Sequence, residues 1–311
     1  MSNGLPDHPP SRPEAALRLR AWWDARTPNV RGSLWVALAV VLFSIMTMLI
    51  KLLGARLPVV EILFFRQIVM LGFIAPVLWR HGADALKTER AGLHTFRVTA
   101  ALFAMLTGFT ALVHMPLADA TAISFAKTLF VTVLATLILH ETVGLRRWTA
   151  TVVGFVGVLV VLQPTGAGID VYALLALASA VAVAGIQISL RLLTQTERSV
   201  TIMAYQAIAI TVLLALPTWW WWVTPTPLEW AALVATGFVA TLGQWCNVTG
   251  FRTGEAAAVA PMDYTRILFA TIIGSVVFHE LPTMATVLGA AIIIGATLYT
   301  LRRNAMRTQQ A

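Results

Sequence analysis

The sequence predicts an all-α integral membrane protein: ten transmembrane helices arranged as two inverted five-helix repeats. Three observations predict it. Hydrophobic residues make up 58% of the 311 and charged residues only 12%, with a mean hydropathy of +0.79, whereas a soluble domain carries about 25% charged residues. Apolar stretches long enough to span a bilayer recur between short Pro-, Gly- and charge-containing breaks. The second half also repeats landmarks of the first at a nearly constant spacing.

Residues 1–32 are polar, with several Pro and Arg, and carry no signal-peptide pattern. They are expected to form a cytoplasmic tail, in which residues 13–26 suit either a short basic surface helix or disorder. A spanning helix needs about 20 mostly apolar residues. On that criterion the spans fall near 33–53, 60–79, 95–114, 118–138 and 148–163 in the first half. In the second they fall near 171–190, 200–218, 228–250, 256–278 and 283–301. This gives repeats at 33–163 and 171–301 and a C-terminal tail at 302–311. The linkers are too short for a soluble domain.

The basic residues test the count. With the N-terminus in the cytoplasm, 17 of the 22 Lys and Arg fall at cytoplasmic ends, from Arg12 to Arg307. The outside receives only Lys51 and Arg56. This asymmetry follows the positive-inside rule and places both termini in the cytoplasm. It also accounts for the net charge of +8 without nucleic acid. Three cations remain inside the spans: Arg66, Lys127 and Arg266.

The internal echo runs through four helices. His140-Glu141 overlays His279-Glu280 at an offset of 139, which places Lys127 on Arg266 and Phe130 on Phe269. Slightly different offsets place Lys51-Leu-Leu on Arg191-Leu-Leu, Arg66 on Gln206, and Gly157 on Gly295. Five helices per repeat is odd, so the second copy enters from the opposite side. That is the architecture of many secondary transporters, with solute held near the midplane.

These landmarks resemble the EamA repeats of the drug/metabolite transporter superfamily: two five-helix units, each with HisGlu after its fourth helix and a Gly-containing fifth (TVVGFVG at 151–157, LGAAIIIG at 288–295). The run from Glu61 to Arg66, EILFFR, is similar to the family's arginine-bearing second helix. The resemblance covers about residues 33–301. It implies a ten-helix carrier of small organic solutes in the bacterial inner membrane, nearest to the amino-acid and metabolite exporters. Uptake of a vitamin, nucleoside-type or quaternary-amine solute is the alternative, and a membrane-embedded non-transport protein is a further one.

Lys127 lies 11 residues past Pro116, and Arg266 lies 11 past Glu255. At about 1.5 Å per residue, each sits roughly 16 Å into its helix, near the midplane. A charge there costs about 2.5–3.5 kcal/mol on insertion scales, so it should face the bundle interior or water. Together the two cations are expected to attract a carboxylate or phosphate. The structural alternative is ion pairing: Asp263 lies three residues before Arg266, a spacing at which helical side chains meet, whereas Asp119 reaches Lys127 only from about two turns away.

Trp245, Tyr264 and Phe125, with Gln244, Asn247 and Tyr205, are expected beside the two cations, in a cavity suited to an aromatic or amphipathic zwitterion whose ammonium meets Asp263. Ordinary core packing is the alternative for each aromatic. Arg66, Glu61, Asp119 and Gln206 are expected to act in gating or structure, with Arg66 lining the cavity or pairing with Asp119. Trp219–Trp222 fits an interfacial aromatic belt. Neither HisGlu continues as H-E-x-x-H, so the pairs suit helix-end caps or gates, and no metal or other cofactor is expected. No P-loop, G-x-S-x-G or G-x-G-x-x-G occurs, which argues against an ATP-driven pump or an enzyme. The expected partners are a small-molecule solute and the lipid bilayer, with the chain monomeric or weakly dimeric.

Overall fold

Helix starts follow local chemistry. Pro28 sits in the first turn of α1 (Pro28–Leu53), where its missing N–H costs nothing. At α9 (Pro227–Thr253), Thr226 and Glu229 form a reciprocal capping box. The computed structural model describes residues 26–81, 87–138, 145–162, 170–193, 196–197, 199–254 and 260–308. All regular structure among them is helical.

Between α1 and α9 lie α2 (Val59–His81), α3 (Ala91–His114), α4 (Leu117–Ser124), α5 (Lys127–Ile138), α6 (Leu145–Leu162), α7 (Val171–Leu193) and α8 (Ser199–Trp220). After α9 come a 3₁₀ segment (Ala260–Thr265), α10 (Arg266–Val277) and α11 (Met284–Thr308). Seven stretches are long and apolar enough to cross a membrane, one of them spanning α4 and α5 together. Two shorter apolar helices, Trp148–Leu162 and Met284–Ala296, accompany them. α11 continues through Thr308 instead of ending at 301. The surface tail segment at 13–25 and the first HisGlu pair lie outside the described residues.

The expected fourth span is not one helix. α4 ends at Ser124 and α5 begins at Lys127, and the backbone between them tightens. The N–H groups of Phe125, Ala126, Thr128 and Leu129 each bond three residues back instead of four. Hydroxyls compete for the same carbonyls: Ser124 donates to Thr121 O (2.7 Å) and Thr128 to Phe125 O (2.8 Å). The ninth span breaks at the overlaid position, where the 3₁₀ segment hands over to α10 at Arg266. There Thr265 donates to Met262 O (2.7 Å), and Pro261 offers no N–H. Both α-helical continuations therefore start on the intramembrane cation.

The two halves interlock. α1 packs most extensively on α9 and α3 on α7, so the first helix of each half lies on the third helix of the other. α2 meets α8 and α6 meets α11, pairing the second helices with each other and the fifth with each other. Gly157 of α6 and Gly289 of α11 meet backbone to backbone: a Cβ on Gly289 would lie 2.6 Å from Gly157 O. The glycine that overlays Gly157 in sequence, Gly295, faces open space. The main buried cluster draws on both halves, including Ile50, Phe125, Tyr264 and Ile293.

Candidate functional site

The helix breaks bring the two halves together through contacts that exchange under the 139-residue offset. Lys127 Nζ donates to Asp263 Oδ2 at 3.0 Å. Arg266 Nη2 donates to Ser124 Oγ at 2.8 Å. Ser124 is the offset counterpart of Asp263, so the second contact is the first with its partners swapped and its carboxylate replaced by a hydroxyl. Between them, Phe125 and its counterpart Tyr264 meet edge to face at 5.2 Å, both buried. Arg266 also lies over the Phe125 ring at 5.9 Å, within cation–π range.

Of the two alternatives left open for Asp263, a local pair with Arg266 is not the one formed. Among the described residues Arg266 comes within ion-pair distance of no carboxylate; the 3₁₀ turn stacks residue i over i+3, so Arg266 and Asp263 attract each other through space, but the carboxylate closes on Lys127. Asp263 instead serves Lys127 from the other half. Asp119 pairs with neither Lys127 nor Arg66: its Oδ1 accepts from Thr286 Oγ1 at 2.5 Å.

Beside this junction lies a cavity of about 290 Å³, at the lower edge of the range for small-molecule sites. Its wall is largely apolar, with small residues such as Ala101, Ala104 and Gly108 making room. Its polar groups come from both halves: Thr47, Arg66, Thr121 and Ser124 from the first, Ser179, Gln206 and Arg266 from the second. Arg66 and Gln206, which the repeat overlays, thus share one cavity.

Arg66 is held by weak partners. Its Nη1 points to Met46 Sδ at 3.9 Å, and its Nη2 to Met105 Sδ at 3.5 Å and Gln67 Oε1 at 3.2 Å. The guanidinium lies over Phe109 at 5.6 Å, and Nε has no partner. Thioethers are poor acceptors, so most of this cation's donor capacity is unused.

The sequence model of the EamA-like transporter family matches residues 30–163 and again 171–302. The chain belongs to the EamA-like transporter family. It is similar to an S-adenosylmethionine uptake transporter of Rickettsia prowazekii (strain Madrid E), 33% identical over 89% of this chain and 94% of that one. A riboflavin transporter of Brucella anthropi is 31% identical over 82% of this chain and 92% of that one. A pseudopaline exporter of Pseudomonas aeruginosa is 31% identical over 86% and 94% respectively. A crystal structure of a 19% identical protein superposes with TM-score 0.61 over 88% of this chain and 98% of the other. At that identity the likeness is one of fold. The EamA-like family is a family of transporters and not of enzymes.

In this EamA-like transporter the remaining expected residues scatter. Gln244 and Trp245 are exposed on α9, Trp245 edge-on to Trp35 at 5.3 Å, and Asn247 is half-buried. Tyr205 stacks on His94 at 4.4 Å. None of these four lines the 290 Å³ cavity, nor do Phe125, Tyr264, Lys127 or Asp263; the aromatic in its wall is Phe109. Glu61 is fully buried and accepts from Val223 N–H at 3.2 Å, while its other oxygen has no partner. Trp219–Trp222 are exposed at and just past the end of α8.

Sequence reasoning missed a second ion pair. Lys51, counted as an outside charge, is buried and donates to both carboxylate oxygens of Glu280, at 2.6 and 2.7 Å, and to Met115 O at 2.8 Å. Glu280 also accepts the Leu117 N–H at 3.1 Å, capping α4. The second HisGlu motif was the available signal, but its partner lies 229 residues away. Among the described residues no group of three or more His, Cys, Asp or Glu is placed to hold a metal.

Proposed function

We propose that this chain is a secondary carrier that moves a small organic solute across the bacterial inner membrane by alternating access. The solute binds in the cavity bounded by Arg66, Gln206, Ser124 and Arg266. The two five-helix halves, inverted in the membrane and contributing ten spans with both termini cytoplasmic, rock about the junction of Lys127, Asp263, Arg266 and Ser124. The observation that carries this reading is the exchange of junction contacts under the repeat offset. Two equivalent units meeting through equivalent residues can trade roles, which is what inward- and outward-open states require.

Lys127 and Asp263 act in this reading as the joint between halves, and Arg266 as the cation shared by joint and cavity. Broken helices at membrane depth support it, because irregular backbone is tolerated there only when buried in protein or lining a cavity. Uptake is the favoured direction, since relatives named for S-adenosylmethionine uptake match most of the chain. Export of an amino acid or related metabolite is the second reading, supported by the similarity to the pseudopaline exporter.

Purified protein in liposomes tests the proposal. Preloaded unlabelled solute should drive counterflow of labelled solute without any new product, and Arg266→Ala should abolish it. Chemical conversion of solute, or counterflow indifferent to Arg266→Ala, overturns it.

A further inference from the structure

Resting on that carrier reading, we propose that the solute carries a compact oxyanion group, carboxylate or phosphate, which Arg66 binds, and that the cavity rejects solutes whose only charge is positive. Arg66 presents a five-donor fork to two thioether sulfurs, one amide oxygen and an aromatic face, with Nε unpartnered. Among the described residues no Asp or Glu lines the cavity. The acids outside the lining have other contacts: Asp263 pairs with Lys127, Asp119 accepts from Thr286, and Glu61 accepts from the Val223 amide through one oxygen and leaves the other without a partner.

A second cation, Arg266, lines the same wall. An intramembrane guanidinium without an anion is costly and marks a solute path. Its planar fork matches an oxyanion with two parallel hydrogen bonds, a geometry an ammonium cannot reproduce. Gln206 has no hydrogen-bond partner among the described residues and adds a donor and an acceptor to the same cavity. A cationic solute would meet two like charges at low dielectric with no carboxylate to receive it. A zwitterion enters with its carboxylate on Arg66.

Thermal-shift and binding measurements on purified wild-type protein with matched pairs decide this. The probes are methionine against 3-methylthiopropylamine, phenylalanine against phenethylamine, S-adenosylmethionine against its decarboxylated form, and riboflavin 5′-phosphate against riboflavin. In at least one pair the oxyanion member should raise the melting temperature and its partner should not. The responding pair separates carboxylate from phosphate. Arg66→Gln should weaken that ligand by about thirtyfold or more, as when one partner of a buried charge pair is lost. Arg66→Lys should keep part of the effect.

The inference is overturned if no oxyanion member shifts the melt, if the oxyanion-free members bind as well, or if Arg66→Gln retains wild-type affinity. Should Arg66→Gln fail to fold, the wild-type pairs and Arg66→Lys still decide. Failure of the carrier reading looks different: oxyanion binding persists without counterflow. Counterflow that is equal for both members of a pair sinks the inference and leaves the carrier intact.

Discussion

Lys127 of the first half reaches Asp263 of the second at 3.0 Å, while Arg266 of the second reaches Ser124 of the first at 2.8 Å. The two contacts join the same pair of sequence positions with the halves exchanged, but only one is an ion pair. The junction is symmetric in geometry and asymmetric in charge. Arg266 shares the field of Asp263 with Lys127 but hydrogen-bonds only the Ser124 hydroxyl, and it lines the cavity as well as the joint.

Removing one end of the Lys127–Asp263 pair strands the other in a low-dielectric bundle. Lys127→Ala or Asp263→Ala should each destabilise by about 1–2 kcal/mol, less than for a fully buried ion pair because both side chains are only half-buried. The double variant Lys127→Ala/Asp263→Ala should recover part of that loss, because no unpaired charge remains. A double-mutant cycle on detergent melts measures the coupling. Additive losses would place the two side chains out of contact in solution.

Helix placement was legible from hydropathy. The span expected at 228–250 is observed as Pro227–Thr253, and the one at 95–114 as Ala91–His114. The breaks at Ser124 and Thr265 were not, because Ser and Thr carry no helix-stop signal unless their hydroxyls turn back onto the chain. Lys127 and Arg266 stood out because charge at depth is costly whatever surrounds it. Their partners were illegible: Asp263 binds across 136 residues, and its local spacing offered Arg266 only as one of two alternatives. Trp245 and Gln244 show the opposite error. Polar and aromatic residues in a span were assigned to the cavity by type, whereas the face they occupy is set by how α9 packs on α1.

The Lys51–Glu280 pair ties the end of α1 to the start of α4 and to the loop before α11, closing one end of the bundle across the two halves. Glu280→Gln removes the charge and leaves Lys51 buried without a carboxylate. That end should then open more often. Hydrogen–deuterium exchange of residues 114–118 and 278–283 should quicken, while exchange in the α6–α11 contact stays unchanged. Wild-type exchange at both sites would mean that the pair does not hold this end shut.

The α6–α11 crossing depends on bare backbone. A methyl at Gly289 meets the Gly157 carbonyl at 2.6 Å, and backbone cannot step aside as a flexible side chain can. Gly289→Ala should cost about 1–3 kcal/mol, the usual range for overpacking. Gly295→Ala, six residues on in the same helix, meets nothing within 4 Å. It should stabilise by about 0.5–1 kcal/mol through the helix propensity of alanine. Opposite shifts in melting temperature test the contact; equal shifts would mean that the helices do not cross at Gly289.

His279 holds φ at +56°, the left-handed region, and that turn lets the Glu280 N–H return to Gly274 O at 2.8 Å. The same turn delivers the Glu280 carboxylate to Lys51. His279→Gly removes the Cβ clash and should keep or raise the melting temperature. A β-branched residue cannot sit there cheaply, since the left-handed region costs about 1–2 kcal/mol even for an ordinary side chain. His279→Val should therefore lower the melting temperature and also speed exchange at residues 278–283, because a displaced turn withdraws Glu280 from Lys51. If His279→Val melts lower but exchanges normally, the strain belongs to the turn alone and the ion pair forms without it.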